Sequence, residues 1–234
     1  MFQRLPLTLL VVLLTAATAA CIPYQTGPND SVPPAAEDTA PTVPTTPDVS
    51  APSPQDLDAV VIPGERVGPV TASTSRTDLV SLYGEDRLQD APVPMGEGFT
   101  EPGTVVDLGP DWHFSVVWRD TSQTQPLLIK DFGPGWRTPE GLGVNAPYSA
   151  VQEALGNFQL YGFAWDYGGT IVLENSQLDQ YHGQLLLRVS PSLEAMDTHA
   201  NAYEAVMGEE LYASTNDHFS QLDITVYEMI VYFD

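Results

Sequence analysis

The spacing of apolar residues along the chain predicts two short helices that each end at a glycine. Apolar positions recur at helical intervals before Gly84 and again before Gly156. Thr74 or Ser75 supplies a cap for the first helix, and Pro147 opens the second. Because glycine readily ends a helix, each of these helices is expected to stop where its periodic pattern does.

Alternating apolar and polar positions predict antiparallel strands after each helix. A loop over residues 88–102 follows the first helix. The predicted strands cover residues 104–108, 113–119, 127–132, 158–167, 170–174, 184–190 and 219–233. Residues 192–211 predict one amphipathic helix, because apolar side chains recur there three or four residues apart: Met196, Ala200, Tyr203, Met207 and Leu211.

The two helices align with one another as a repeat. When Gly84 is placed on Gly156, Leu79 falls on Val151, and strands follow in both copies. Neither unit is large enough to cover its own apolar face, so the two are expected to share a core. We therefore predict an α+β fold with two tandem helix-plus-antiparallel-sheet units in one domain, and one extra amphipathic helix near the C-terminus. Repeat one covers residues 64–135, and repeat two covers 136–234.

The N-terminus has the pattern of an export signal. Residues 1–20 combine Arg4 with an apolar run that is too short to span a bilayer, which predicts a signal peptide. Cys21, the one cysteine, follows small residues as in a bacterial lipobox, although Thr18 stands where leucine is usual. We predict that Cys21 is lipidated (a palmitate-type acyl anchor) and that Ile22 favours sorting to the outer membrane. Ordinary cleavage that leaves a soluble secreted protein is the alternative.

A proline-rich segment separates this anchor from the globular part. Residues 22–63 hold ten of the 21 prolines and no lysine or arginine. Such a composition buries too little apolar surface to offset its ordering entropy. Residues 21–63 are therefore predicted to form the lipidated cysteine and a disordered stalk, and residues 64–234 the globular domain.

The chain is strongly acidic, with a formal net charge of −23 and a single lysine, Lys130. Such a surface repels phosphate backbones, so nucleic acid is not expected as a partner. The acidity serves solubility on one interpretation, and attracts divalent cations or a basic partner on another.

The repeated pattern of glycine, threonine or serine, leucine, and tyrosine or leucine before a second glycine resembles the tandem units of β-lactamase-inhibitor-like folds. Small lipoproteins of the outer-membrane barrel-assembly machinery share that unit. The sequence WDYGG at residues 165–169 also resembles a strand end of uncharacterised bacterial lipoproteins. The resemblance implies a role in protein–protein interaction or assembly rather than in catalysis.

An aromatic stripe supplies the candidate binding residues. In the predicted strand 158–167, alternation places four rings on one face: Tyr161, Phe163, Trp165 and Tyr167. Such a stripe forms core, or it binds sugars or peptide side chains with Asp166 as a polar neighbour. Trp136, in a Gly-Pro-Gly-Trp loop, is predicted to be exposed. The candidate binding residues are Trp136, Trp165, Asp166 and Tyr167.

The sequence contains none of the motifs that would predict a cofactor or a reaction. It lacks a phosphate-binding loop, a zinc-ligand motif, a calcium loop and a nucleophile elbow. No catalytic residue, metal or cofactor is therefore predicted. The predicted function is that of a membrane-anchored envelope lipoprotein that contacts another envelope protein without catalysis. A saccharide-binding module is the alternative, and an unrecognised hydrolase is the second alternative.

Overall fold

A computed structural model describes residues 57–233 of the protein. The predicted signal peptide, Cys21 and residues 22–56 of the predicted stalk lie outside the described residues. Within residues 57–233, no helix has the length and apolar character needed to cross a bilayer.

The fold is α+β, as predicted, with few helices and mostly antiparallel sheets. Helix α1 covers Arg76–Tyr83, and helix α2 covers Tyr148–Leu155. Ser75 caps α1 in a reciprocal capping box with Asp78, which satisfies two backbone N–H groups at the start of the helix. Both helices are followed directly by a glycine, Gly84 or Gly156, with a positive φ angle.

A six-stranded antiparallel sheet forms the centre of the molecule. Its strands are β4 (Leu88–Gly96), β5 (Phe99–Val106), β6 (Phe114–Trp118), β7 (Pro126–Lys130), β10 (Leu185–Ser190) and β12 (Thr225–Tyr232). The spatial order is β10-β12-β7-β6-β5-β4, so the C-terminal strand β12 lies between strands from the two halves of the chain. The sheet thereby joins both predicted repeats through one set of backbone hydrogen bonds.

Two small three-stranded sheets flank the central one. The first has β1 (Val61–Ile62), β2 (Arg66–Val67) and β3 (Val70–Thr71) in that order. The second has the order β11-β8-β9, with β8 at Gln159–Tyr161, β9 at Ile171–Val172 and β11 at Leu211–Ala213. Strand β1 falls inside the segment 21–63 that is predicted to form the stalk, so ordered structure begins before residue 64.

The strands of the two predicted repeats are distributed differently among the sheets. Strands β4 to β7, which follow α1, all lie in the central sheet. Those that follow α2 divide between the central sheet and the second small sheet. The predicted C-terminal amphipathic helix is also divided, into α3 (Leu193–Thr198) and α4 (Ala200–Glu204), which meet at His199. The last strand begins at Thr225 rather than at 219, since Asp217–Gln221 forms a 3-10 helix.

One face of the central sheet packs against both helices to form the main core. A chain of polar contacts crosses this side at the base of β4. The Trp118 Nε1 group donates to Thr104 Oγ1 (2.9 Å), Thr104 donates to Asp90 Oδ1 (2.6 Å), and Arg76 Nε donates to the same carboxylate (3.1 Å). These bonds join α1 to three neighbouring strands, so the starting point of the β4–β5 hairpin is fixed.

The β4–β5 hairpin bends over the opposite face of the central sheet. Lys130, on β7, donates from Nζ to the backbone oxygen of Pro94, on β4, at 2.7 Å. In a flat sheet these strands would lie about 14 Å apart, at roughly 4.8 Å for each of three strand spacings. The short bond therefore requires the hairpin to arch back across the sheet. We call β4 and β5, with the turn between them, the arch.

The arch encloses a second, smaller apolar cluster. Its buried members are Val93, Val117, Leu128 and Ile230, and Leu186 and Tyr232 are partly buried beside them. The side chain of Val93 lies against β5 at Gly103. A Cβ atom at Gly103 would overlap this side chain. The absence of a side chain at Gly103 thus allows the arch to close over the sheet.

Candidate functional site

A cleft of about 300 Å³ lies where the tip of the arch approaches two other parts of the chain. Its walls are the tip of the arch, a loop at residues 164–168 and the side chain of Arg188 on β10. The lining residues are Met95, Gly96, Glu97, Phe99, Asp166, Tyr167 and Arg188. We call this the arch cleft, and residues 164–168 the aromatic loop.

The turn at the tip of the arch has three consecutive residues with positive φ angles: Gly96 (98°), Glu97 (49°) and Gly98 (81°). Glycine adopts this conformation freely, whereas a residue with a Cβ atom, such as Glu97, is strained in it. The turn places Glu97 at one wall of the cleft, and Phe99 follows with 68% of its surface exposed. The arch therefore carries one carboxylate and one exposed ring to the cleft.

The aromatic loop forms the facing wall, and here the predicted stripe is wrong in part. The strand β8 ends at Tyr161, and Ala164 has a φ angle of 75°, so the chain turns instead of continuing as an extended strand. Phe163 is buried, whereas Trp165 is 61% and Tyr167 56% exposed. The turn thus separates a core ring from two surface rings.

Contacts with Tyr161 and Thr170 hold Tyr167 in place. Its ring centroid lies 5.5 Å from that of Tyr161, and the backbone N–H of Thr170 donates to the Tyr167 carbonyl at 2.9 Å. The backbone of Gly168 donates to the carbonyl of Trp165 at 2.7 Å, which closes the loop. The exposed rings therefore sit on a hydrogen-bonded turn.

Arg188, the one cation in the cleft lining, is paired with the carboxylate of Glu228 on β12. Arg188 donates from Nε to Thr170 Oγ1 at 3.0 Å, and its Nη1 lies 3.4 Å from Glu228 Oε2. Lys130 Nζ lies 3.8 Å from Glu228 Oε1 and 3.7 Å from Asp131 Oδ1. Glu228 therefore offsets the charge of Arg188, and Lys130, outside the cleft lining, continues the ion-pair network.

A second cleft, of about 250 Å³, adjoins the first at the Arg188–Thr170 pair. Strand β10 is the last strand of the central sheet, and β9 approaches its free edge only at one end, where Thr170 bridges to Arg188. Beyond that bridge the strands separate, and the opening is lined by Ile171, Leu186 and Tyr232 among others. Burial, together with the nearby Glu228 carboxylate, raises the pKa of the Tyr232 phenol.

Trp136 does not take part in this site. Its side chain is 0% exposed and packs edge-on against Phe114, with ring centroids 5.2 Å apart, and against Phe132 at 6.2 Å. The prediction that Trp136 is exposed is therefore wrong. The structure brings Asp166 and Tyr167 into the cleft lining, and Trp165 lies beside them on the same loop.

A larger cleft, of about 570 Å³, lies at the base of the arch. Asp86, Asp107 and His113 are among its lining residues, but none of the lining residues is a serine, threonine or cysteine. It thus offers carboxylates and an imidazole without a nucleophilic hydroxyl or thiol. Among residues 57–233 there is also no group of three or more His, Cys, Asp or Glu side chains placed to hold a metal ion.

Glu97, Phe99 and Arg188 line the arch cleft but were not among the sequence candidates. Glu97 and Phe99 lie in the segment 88–102, for which the sequence predicts a loop, although the Gly-Glu-Gly-Phe sequence is typical of a hairpin turn. Arg188 is the only lysine or arginine after Arg137. Its position as a lone cation in that part of the chain is the sequence signal that points to it. Each was missed because its role depends on contacts between distant parts of the chain.

Comparisons with known proteins add little to this description. No protein-family model matches the chain, and no curated protein matches it. Among solved structures, the chain is similar to the uncharacterized protein YfeY from Escherichia coli, with a TM-score of 0.43 and 17% sequence identity. That similarity covers 72% of this chain and 97% of the other.

Proposed function

We propose that this protein is a lipid-anchored envelope protein that binds a partner protein through the arch cleft and acts without catalysis. The observation that carries the proposal is the placement of the exposed apolar side chains. Eight large hydrophobic side chains are exposed within residues 57–233, and four of them lie on the arch tip and the aromatic loop: Met95, Phe99, Trp165 and Tyr167. Surface apolar residues are normally scattered, so their concentration around one cleft favours an interaction surface.

The chemistry of these residues suits protein recognition. Tyrosine and tryptophan are enriched at the energetic centres of interfaces, because they bury a large area at a small cost in side-chain entropy. Tyr167 is already held by Tyr161, and the arch is fixed by the Lys130–Pro94 bond. Little ordering is then required on binding, which favours affinity.

Crosslinking in the cells that make the protein tests this proposal. A photoreactive p-benzoylphenylalanine is placed at Phe99 or at Tyr167, on opposite walls of the cleft, in the full chain. We expect both positions to give an adduct of the same mass, which is lost when Trp165→Ala is added. The control position is Leu193 on α3, which is 83% exposed and does not line the cleft. Absence of adducts at both cleft positions, or an equal adduct from Leu193, would count against the proposal.

The membrane anchor is tested separately through Cys21. We expect Cys21→Ser to abolish incorporation of a labelled fatty acid into the protein, because the thiol that carries the acyl chain is removed. Ser53→Ala, in the predicted stalk, serves as the control and is expected to incorporate the label. Incorporation of the label into the Cys21→Ser protein would contradict lipid anchoring at this residue.

A saccharide-binding role is the second candidate. The observation that favours it is the presence of Asp166 and Arg188 beside the exposed rings of Phe99 and Tyr167, since rings that stack on sugars are commonly accompanied by polar side chains. Binding to a glycan array that is abolished by Tyr167→Ala, without any protein adduct in the crosslinking experiment, would favour this role over the first.

A further inference from the structure

We propose that the group received by the arch cleft is a cationic side chain, an arginine or lysine in a basic segment of the partner. This inference rests on the proposed function and specifies the chemistry of the partner. Each wall of the cleft presents the same pair of groups: Glu97 with Phe99 on the arch, and Asp166 with Tyr167 on the aromatic loop. A side chain entering between the walls therefore meets an aromatic ring and a carboxylate on both sides.

This combination attracts a cation in two ways. The face of an aromatic ring has a negative electrostatic potential, so an ammonium or guanidinium group is stabilised above it. The carboxylates of Glu97 and Asp166 add direct ionic attraction and accept hydrogen bonds from the same group. A guanidinium group is planar and weakly hydrated, so it can stack on a ring and reach a carboxylate together.

The cations already present do not oppose this assignment. Arg188 is paired with Glu228 and Thr170, and Lys130 is paired with the Pro94 carbonyl and lies near Asp131 and Glu228. Glu228 therefore offsets the charge of Arg188, and the carboxylates of Glu97 and Asp166 leave the cleft with a negative charge. An anionic ligand beside Arg188 would also meet the carboxylates of Glu97 and Asp166.

The net negative charge of the whole chain also favours a cationic ligand. With 31 acidic and eight basic residues, the protein attracts basic partners over distances longer than the cleft itself. Such attraction is general, so it increases the rate of encounter. The paired walls of the arch cleft are what distinguish one place on the surface from the rest.

Titration with two short peptides tests the inference on the full chain. The probes are Ac-Gly-Arg-Gly-Arg-Gly-amide and the same peptide with citrulline in place of arginine, which keeps the shape and removes the charge. Binding is followed by NMR through the backbone amides of Phe99 and Tyr167. We expect the arginine peptide to bind at least about fivefold more tightly, from two ionic contacts and cation–π contact of ordinary strength.

Three variants assign that preference to the cleft. Glu97→Gln and Asp166→Asn are each expected to weaken binding of the arginine peptide about threefold and to leave citrulline binding unchanged. Glu194→Gln, on α3, removes an equal charge from an exposed site elsewhere and is expected to have little effect. Equal binding of the two peptides, or an equal loss with Glu194→Gln, would overturn the inference.

Failure here is distinguishable from failure of the proposed function. If the crosslinks from Phe99 and Tyr167 persist unchanged in Glu97→Gln and Asp166→Asn proteins, the cleft binds a partner but the cationic assignment is wrong. If neither position forms a crosslink, the proposed function itself fails.

Discussion

Gly169→Ala is expected to lower the free energy of unfolding by about 3 kcal/mol or more. Gly169 has a φ angle of 68°, and a Cβ atom there would overlap the backbone oxygen of Val189. Because that atom belongs to the backbone of β10, no change of rotamer relieves the overlap. The same residue accepts a hydrogen bond from the Val189 N–H at 2.9 Å, so the link between the aromatic loop and β10 would be lost as well.

Urea unfolding followed by tryptophan fluorescence measures this change. Gly183→Ala is the matched control, since Gly183 has a similar φ angle of 79° and a Cβ atom there would meet no other atom within 4 Å. It should lose only the roughly 1–2 kcal/mol associated with a left-handed residue. Equal losses for the two variants would show that the contact with Val189 does not fix the aromatic loop.

Trp136→Ala is expected to lower the free energy of unfolding by about 3–5 kcal/mol, as is usual when a buried tryptophan is removed from a core. Trp136 is fully buried and packs against Phe114 and Phe132, and a Cβ atom at Gly68 would come within 3.1 Å of its ring. Trp136→Phe keeps part of this packing and should lose less. The measurement is chemical unfolding followed by far-ultraviolet circular dichroism, which does not depend on the removed fluorophore.

Trp165→Ala provides the comparison within the same chain. Trp165 is 61% exposed, so its removal should change the free energy of unfolding by no more than about 0.5 kcal/mol. A large loss for Trp136→Ala and a small one for Trp165→Ala would identify Trp136 as a core residue and Trp165 as a surface residue. A large loss with Trp165→Ala, or a small one with Trp136→Ala, would contradict the assignment of the binding surface.

The sequence predicted the elements that depend on local pattern. Both α1 and α2 lie where helical spacing ends at a glycine, and β6, β7 and β10 lie within or close to the predicted strands. In each case the apolar periodicity and the end signal fall within about ten residues of one another. The α+β class follows from these elements and is confirmed.

The arch could not be predicted from the same signals. The sequence predicts a loop over residues 88–102, and Pro92 and Pro94 in β4 and Pro102 in β5 are residues that argue against a strand. Strand β4 tolerates its prolines because it is at the edge of the sheet, where one side needs no hydrogen-bonding partner. Whether a strand is an edge strand depends on the topology of the whole chain, which the local pattern does not contain.

The candidate site was predicted in part, for a related reason. Alternation in the predicted strand 158–167 identifies Trp165 and Tyr167, with Asp166 beside them, as candidates, but it predicts a longer strand than the structure has. The turn at Ala164 requires a positive φ angle at a residue that is not glycine, which no local rule would favour. Trp136 follows a Gly-Pro-Gly sequence that is typical of an exposed loop, but its contacts with Phe114 on β6 and with Phe132 bury it.

The decisive measurement is isothermal titration of the crosslinked partner, once it is identified and purified, against wild-type, Tyr167→Ala, Phe99→Ala and Leu193→Ala proteins. Removing an aromatic residue from the centre of an interface typically raises the dissociation constant about tenfold or more. We predict that increase for Tyr167→Ala and Phe99→Ala, and an unchanged constant for Leu193→Ala. If all four proteins bind with equal affinity, the arch cleft is not the surface that this protein uses.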